Sequence, residues 1–284
     1  MDISVIIGVV LCLVILVFGI VFAGGNIKSY ASLDSFVIVA GGTIGATLVG
    51  ISIKEGLSTF NIIKKTMKPA RIKWFETVQL FIELATEARR EGILALQDRI
   101  DQQDNELIRL GLQLIVDGVD SEVLFMVMGT KIQVQKNEDK LGVTIFSRMG
   151  DLAPAFGMLG TVMGLIQVLA NLSEPDKLGS GIAQAFITTF YGIVFSNVFL
   201  RPFANKINKN NEEKSQYYEM VLTGLQSIHE GDNPFMVEEK LKAFCSKIQV
   251  KDTKKQEEEA EEPEDEANQV VEQFEKAEIS VETA

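Results

Sequence analysis

The chain has 284 residues, 46% of them hydrophobic and 23% charged, with a mean hydropathy of +0.17 and a formal net charge of -12. Two modest soluble domains would fit that length, but much of the apolar content is gathered in four charge-free runs at 3–23, 35–53, 152–172 and 178–200. Each run is long enough to cross about 30 Å of hydrocarbon as a helix, which excludes a purely soluble protein.

The first run is preceded only by Asp2, with no basic segment, and its 21 uncharged residues exceed the apolar core of a signal peptide, so it reads as a span. The second follows a short loop containing Lys28 and carries Gly41, Gly42, Gly45 and Gly50. Segment 54–148 is polar and helical by pattern. An amphipathic stretch at 57–68 is stopped by Pro69, which lacks the amide a helix interior needs. Trp74, Val78, Phe81, Ile82 and Ala85 then form an apolar stripe on a helix that runs to about Arg90 and is broken at Gly92. Shorter helices are expected at 93–100 and 104–117. Asp120 then caps a long helix that runs through Phe125, Met128, Ile132 and Ile145 into the third apolar run. Beyond the fourth run, 202–228 continues as a helix, and 234–248 forms a last one with Asn233 as cap and Pro234 at its first position.

Residues 251–284 hold 13 acids and 4 bases, so the low isoelectric point belongs mainly to this tail. Its acidic cluster has too little apolar content to offset the entropy of ordering, and the expectation is a disordered, solubilising end, with regulatory docking as the alternative. The chain therefore divides into spans at 1–53, a helical domain at 54–148, spans at 149–200, C-terminal helices at 201–250 and the tail at 251–284. The short loops 24–34 and 173–177 hold one lysine each, Lys28 and Lys177, against 14 Lys and Arg in 54–148 and 7 in 201–250. Basic residues near span ends stay in the cytoplasm, so both termini are expected there.

Polar residues inside the runs are few. Thr161 lies ten residues beyond Asp151, about 15 Å deep, and Thr188 and Thr189 lie thirteen and twelve residues before Arg201, about 18–20 Å in. The two helices are antiparallel, so these hydroxyls reach similar depth, beside Gly157, Gly160 and Gly164 on one helix and Gly181, Ala185 and Gly192 on the other. Small residues there permit close helix contact, and hydroxyls and carbonyls can line a path or bind a bare cation. No Asp, Glu, Lys, Arg or His falls inside any run, so a proton step requires a carboxylate from a partner helix.

Enzyme signatures are missing. Gly41-Gly42-Thr43-Ile44-Gly45 sits inside an apolar run and is not a dinucleotide loop, and there is no phosphate-loop pattern. The lone His229, expected at a helix end near solvent, and the scattered Cys12 and Cys245 supply neither a metal set nor a nucleophile–base pair. No cofactor is expected. The 14 bases of segment 54–148 are matched by 14 acids, so nucleic-acid binding is not expected either.

Four stretches carry a resemblance: Ala88-Arg89-Arg90-Glu91-Gly92-Ile93-Leu94-Ala95-Leu96, Asp151-Leu152-Ala153-Pro154-Ala155-Phe156-Gly157-Met158-Leu159-Gly160-Thr161, Ile187-Thr188-Thr189-Phe190-Tyr191-Gly192, and Glu230-Gly231-Asp232-Asn233-Pro234. With the placement of the spans they resemble the MotA/PomA family of bacterial flagellar stator proteins, in the superfamily that includes TolQ and ExbB. The resemblance implies an all-α, four-span subunit of a ring in the bacterial inner membrane. Five copies would surround two single-span MotB/PomB-like subunits whose membrane aspartate binds the ion, and sodium or proton flow would turn the ring against the rotor protein FliG. It also implies roles for single residues. Arg89 and Arg90 match the basic pair at the rotor-facing edge. The family often follows that motif with Leu-Glu where this chain has Leu96-Gln97, leaving Asp98 as the neighbouring acid. Pro154 and Pro202 match the two prolines at the cytoplasmic span ends that couple ion occupancy to motion, and Asp151 matches the acid at the mouth of the third span. Thr161 after Gly160 and the Thr188-Thr189 pair resemble the sodium-driven branch. A TolQ- or ExbB-like subunit energising an outer-membrane process is the alternative function, and a structural scaffold whose glycines only pack is the alternative of a different class.

Overall fold

A computed structural model describes residues 3–51 and 72–245. The expected helix at 57–68 and the acidic tail lie outside the described residues. Helices α1 (Ile3–Phe22), α2 (Leu33–Phe36), α3 (Gly42–Val49), α4 (Trp74–Glu91), α5 (Gln97–Ile100), α6 (Glu106–Val116), α7 (Ser121–Ala170), α8 (Pro175–Val194), α9 (Arg201–Glu230) and α10 (Pro234–Lys242) succeed one another along the chain. Single 3₁₀ turns occupy Ile27–Tyr30 and Ile93–Leu96, and wider π-helical turns occupy Val37–Gly41, between α2 and α3, and Phe195–Leu200, between α8 and α9. Among the described residues four helices are long and apolar enough to cross a membrane.

The chain forms two compact units. Of the described residues, one comprises 3–51 and 133–215, the other 72–132 and 216–245. In the second, large apolar side chains make an ordinary core: Phe81, Leu84, Leu96, Leu112, Met128, Leu225 and Leu241 are all buried. The stripe expected on α4 is present, with Trp74, Val78, Phe81 and Ala85 facing that core. Gly111 and Gly224 are small because Leu225 and Phe81, respectively, fill the space a Cβ would need. Polar anchors are local. Asn105 caps α6 by accepting from the Leu107 amide at 2.9 Å and donates to the Tyr217 hydroxyl at 2.9 Å. Asn233 caps α10 by accepting from Phe235, with Pro234 at the first position as expected, though α10 ends at Lys242. Asp120 precedes α7, its carbonyl accepting from Leu124. His229 is half-buried at the end of α9, its Nε2 2.9 Å from the carbonyl of Val119. A carbonyl only accepts, so Nε2 carries the proton.

The first unit is built differently. Its buried residues are mainly small or hydroxyl-bearing: Ser35, Thr43, Thr47, Ala153, Ala185, Thr188 and Ser196. Gly42 admits the ring of Phe156, and Gly192 fits against Ala153 and Pro154, where a Cβ would stand 2.7 Å from the Ala153 carbonyl oxygen. Gly41 and Gly45 meet no other atom of this chain within 4 Å of where a Cβ would stand. Leu11, Ile15, Phe18 and Phe22 of α1 are exposed, as an apolar span presents itself to hydrocarbon. The helical turn Leu33–Phe36 starts two residues before the second charge-free run, with Asp34 in its first turn and outside that run.

Candidate functional site

The geometry around the three threonines follows from which way each side chain leaves its helix. Thr161 on α7 and Thr189 on α8 meet: their Oγ1 atoms are in direct hydrogen-bond contact. The Thr161 hydroxyl also lies 3.3 Å from the carbonyl of Gly157 and 3.2 Å from that of Ala185, and the Thr189 hydroxyl lies 3.4 Å and 3.5 Å from the same two oxygens. Two hydroxyls and two carbonyls thus converge from two helices. The pair has only two protons to donate among these oxygens, so lone pairs remain. Both threonines are half-buried.

Thr188, one residue earlier, turns away. It is fully buried, its methyl occupies the space left by Gly160, and its hydroxyl donates to Ser35 Oγ at 2.9 Å or to the Gln184 carbonyl at 2.7 Å. Ser35 in turn accepts from Ser32 Oγ at 2.9 Å, and the Tyr191 hydroxyl donates to the Tyr30 carbonyl at 2.6 Å while lying 3.2 Å from the Ser32 amide. Thr188 stands about 20 Å along α8 from Pro175, so the chain between the first two spans reaches the middle of the fourth. The spacing of single residues on α8 shows that Thr188 and Thr189 face different ways. It does not show Ser35 as the partner of Thr188 or Ser32 as the partner of Tyr191, because both serines come from a segment more than 150 positions away.

Gly157, Gly160, Gly164 and Gly192 do line the contact between α7 and α8. A Cβ on Gly157 would lie 3.2 Å from the Thr188 carbonyl oxygen, and one on Gly164 would lie 2.9 Å from both Ala185 Cβ and the Gly181 carbonyl oxygen.

The prolines explain a further bond. Pro154 lies inside α7 and has no amide to give to the carbonyl of Gly150, four residues earlier. The hydroxyl of Ser196, buried in the π-helical turn of the fourth span, donates to that carbonyl at 2.6 Å. Pro202 occupies the second position of α9, and the π-helical turn immediately before it accommodates its missing amide: Arg201 N–H bonds Ser196 O, five residues back. Ser196 was not legible as a functional residue, although the proline four residues beyond Gly150 signals an orphaned acceptor. Asp151 pairs with Arg201 at 3.2 Å, both side chains exposed.

Arg89 and Arg90 lie in the last turn of α4, and Gly92 follows its end at Glu91 with a φ of 91°, a left-handed conformation that suits glycine. Both arginines are exposed and pair with no described carboxylate. Asp98 is exposed on α5, and its neighbour Arg99 is held by Glu87 at 2.9 Å and Glu83 at 3.5 Å. The hydrogen bond and charge of Glu87 raise the Arg99 pKa further. Arg89 borders a groove of about 480 Å³ that Asp98 does not line.

Residues 99–220 match the MotA/TolQ/ExbB proton channel family, and residues 6–92 match the motility protein A N-terminal family. Motility protein A of Treponema pallidum is 34% identical over 87% of this chain and 95% of its own length, and that of Bacillus subtilis is 33% identical over 85% and 90%. The structure of Campylobacter jejuni MotAB superposes with a TM-score of 0.81 at 28% identity, covering 87% of this chain and 97% of that one. The flagellar MotAB stator complex from Bacillus subtilis gives 0.79 at 31%, covering 87% and 98%. The chain belongs to the MotA/TolQ/ExbB family, in its flagellar motor stator branch. It is a multi-pass inner-membrane protein with four apolar spanning helices and a helical cytoplasmic domain, an ion-conducting stator subunit.

Proposed function

We propose that five copies of this chain form a ring around two MotB/PomB-like subunits, with both termini in the cytoplasm, and that sodium is the ion whose passage turns the ring. The carrying observation is the meeting of the Thr161 and Thr189 hydroxyls between the carbonyls of Gly157 and Ala185. Hydroxyl and carbonyl oxygens are ligands for a partly dehydrated cation, whereas a proton needs no such cage. A partner carboxylate would complete the charge balance beside this cluster. Thr188 serves the route from behind, by holding the second span against the fourth through Ser35.

Pro154, Pro202 and Asp151 form the coupling region, where missing amides allow the third and fourth spans to bend. Arg89, Arg90 and Asp98 present charge to the rotor protein FliG, since exposed charges steer and orient docking. The helical domain at 54–148 transmits the torque, and 201–250 supplies the C-terminal cytoplasmic helices.

Rotation rate measured against sodium concentration at fixed proton-motive force tests the ion. Thr161→Ala and Thr189→Ala should each raise the sodium half-saturation or lower the maximum speed, with assembly retained. If both variants keep the wild-type sodium curve, or if speed follows the proton gradient alone, sodium ligation at this pair is rejected.

A further inference from the structure

The groove beside Arg89 lies within the helical domain. Ala88, Leu94 and Ile228 give it an apolar floor, and Arg89, Glu91 and Asp232 stand at its rim. Asp232 is occupied by Lys240 at 2.5 Å, whereas Arg89 has no described acidic partner. Leu94 is 75% exposed, and Phe235 and Met236 in the first turn of α10 are exposed as well. This apolar surface on a polar domain calls for an occupant.

The sequence supplies one. The tail is not uniform: the acids concentrate at 257–266, and beyond them Ala267, Val270, Phe274, Ala277 and Val281 recur at alternating three and four residues. That spacing places one apolar stripe along a helical face, with Glu272, Glu275, Glu278 and Glu282 beside it. We infer that residues 267–281 of this chain dock as an amphipathic helix into the groove between α4 and the end of α9, Phe274 on the apolar floor and the flanking glutamates toward Arg89 and Arg90.

Reach and location agree. Helix α10 starts at Pro234, beside the groove, packs on α4 and ends at Lys242, about 14 Å further on. The 28 positions from Lys242 to Val270 are, by chain length alone, more than enough to return over that distance to the groove. The stripe is thereby tethered at an effective concentration in the millimolar range, enough for a short apolar contact to be populated. The acidic stretch at 257–266 acts as the spacer. Docking covers Arg89, so the tail would compete with any partner of that surface; this consequence rests on the rotor reading above, but the docking does not.

Cysteine pairs in the full chain, co-expressed with its partner subunit in membranes and freed of Cys12 and Cys245 by serine, test the contact. Leu94→Cys should cross-link with Phe274→Cys within one chain, and severalfold more than with Ala260→Cys, although residue 260 is nearer along the sequence. Equal or greater yield at residue 260, or cross-links that join two chains, overturns the inference. As a second measurement, amide exchange over 88–94 and 228–236 should be about tenfold faster in Val270→Asp/Phe274→Asp than in wild type; equal rates overturn it too. Motility of that double variant separates the two readings. Torque unchanged while cross-linking and protection behave as expected removes the rotor role of Arg89 and leaves the docking intact.

Discussion

The two units of the molecule reach stability by opposite means. The helical domain encloses large side chains such as Phe81, Leu84 and Leu112, while the membrane unit brings backbones together over Gly157, Gly160, Gly164 and Gly192 and bonds the buried hydroxyls of Thr188 and Ser196 across its helices. Water explains the difference. In the cytoplasmic domain, burial of apolar area drives packing, and big residues contribute most. In hydrocarbon no such drive exists between helices, so close approach and hydrogen bonding decide the contact. Substitution should therefore be felt at large residues in one unit and at the smallest in the other.

The largest expected effect is Phe81→Ala. The ring is fully buried and abuts Gly224, where a Cβ would stand 2.7 Å from its Cδ1. Truncation should cost about 3–5 kcal/mol, read as increased amide exchange throughout the helical domain in the assembled protein, with the protection of α8 unchanged. Loss of protection in both units together would show that they do not answer separately.

Next comes Gly192→Ala. The added methyl meets the Ala153 carbonyl oxygen at 2.7 Å and the Gly157 Cα at 3.0 Å, atoms of backbone that cannot rotate aside. Overpacking of this kind costs about 1–3 kcal/mol, and the expected outcome is reduced complex recovery and lost motility. Full motility would show that the two spans do not remain this close in the working stator.

Much of this organisation is legible in the sequence. The four spans and the α4 stripe follow from charge-free runs and helical spacing, and Asn233-Pro234 marks the start of α10 because a cap and a proline have fixed roles there. The ends of elements are less legible. Helix α2 starts at Leu33 because Ser32 caps it by accepting from the Ser35 amide, an event hidden by a rule that begins spans after the last charge. The partners of the hydroxyls are the least legible of all. Thr161 and Thr189 are 28 positions apart and their meeting depends on the crossing of two helices, whereas the turn of Thr188 toward Ser35 depends on a third.

Ser196→Ala probes the proline-coupled contact without crowding any atom. It leaves the Gly150 carbonyl, already denied an amide by Pro154, without the 2.6 Å donor. The expected cost is toward the lower end of about 1–3 kcal/mol, with slowed rotation at high load and normal membrane insertion. Restoration of stability by Pro154→Ala in the same chain would tie the effect to that carbonyl, since alanine returns the missing donor; a double variant less stable than Ser196→Ala alone would break the link.

The smallest effect separates two ion pairs. Asp151–Arg201 in the membrane unit is 73% and 54% exposed, whereas Asp232–Lys240 in the helical domain is closer, at 2.5 Å, and 24% and 37% exposed. Exposed pairs are worth about 0–1 kcal/mol, so Asp151→Asn should leave thermal stability nearly unchanged and Asp232→Asn should lower it slightly. The second effect carries a pH signature. The hydrogen bond from Lys240 holds the Asp232 carboxyl below its ordinary value, so the folded state binds this proton less readily than the unfolded chain. The stabilisation is complete above the unfolded carboxylate value of about 4 and is lost as pH falls through the lower folded value. The gap in unfolding midpoint between wild type and Asp232→Asn should hold constant from about pH 7 to pH 5 and close toward pH 3. A gap that persists at the acid end would mean that the asparagine disturbs the packing of Ser227 and α10 instead of removing a charge.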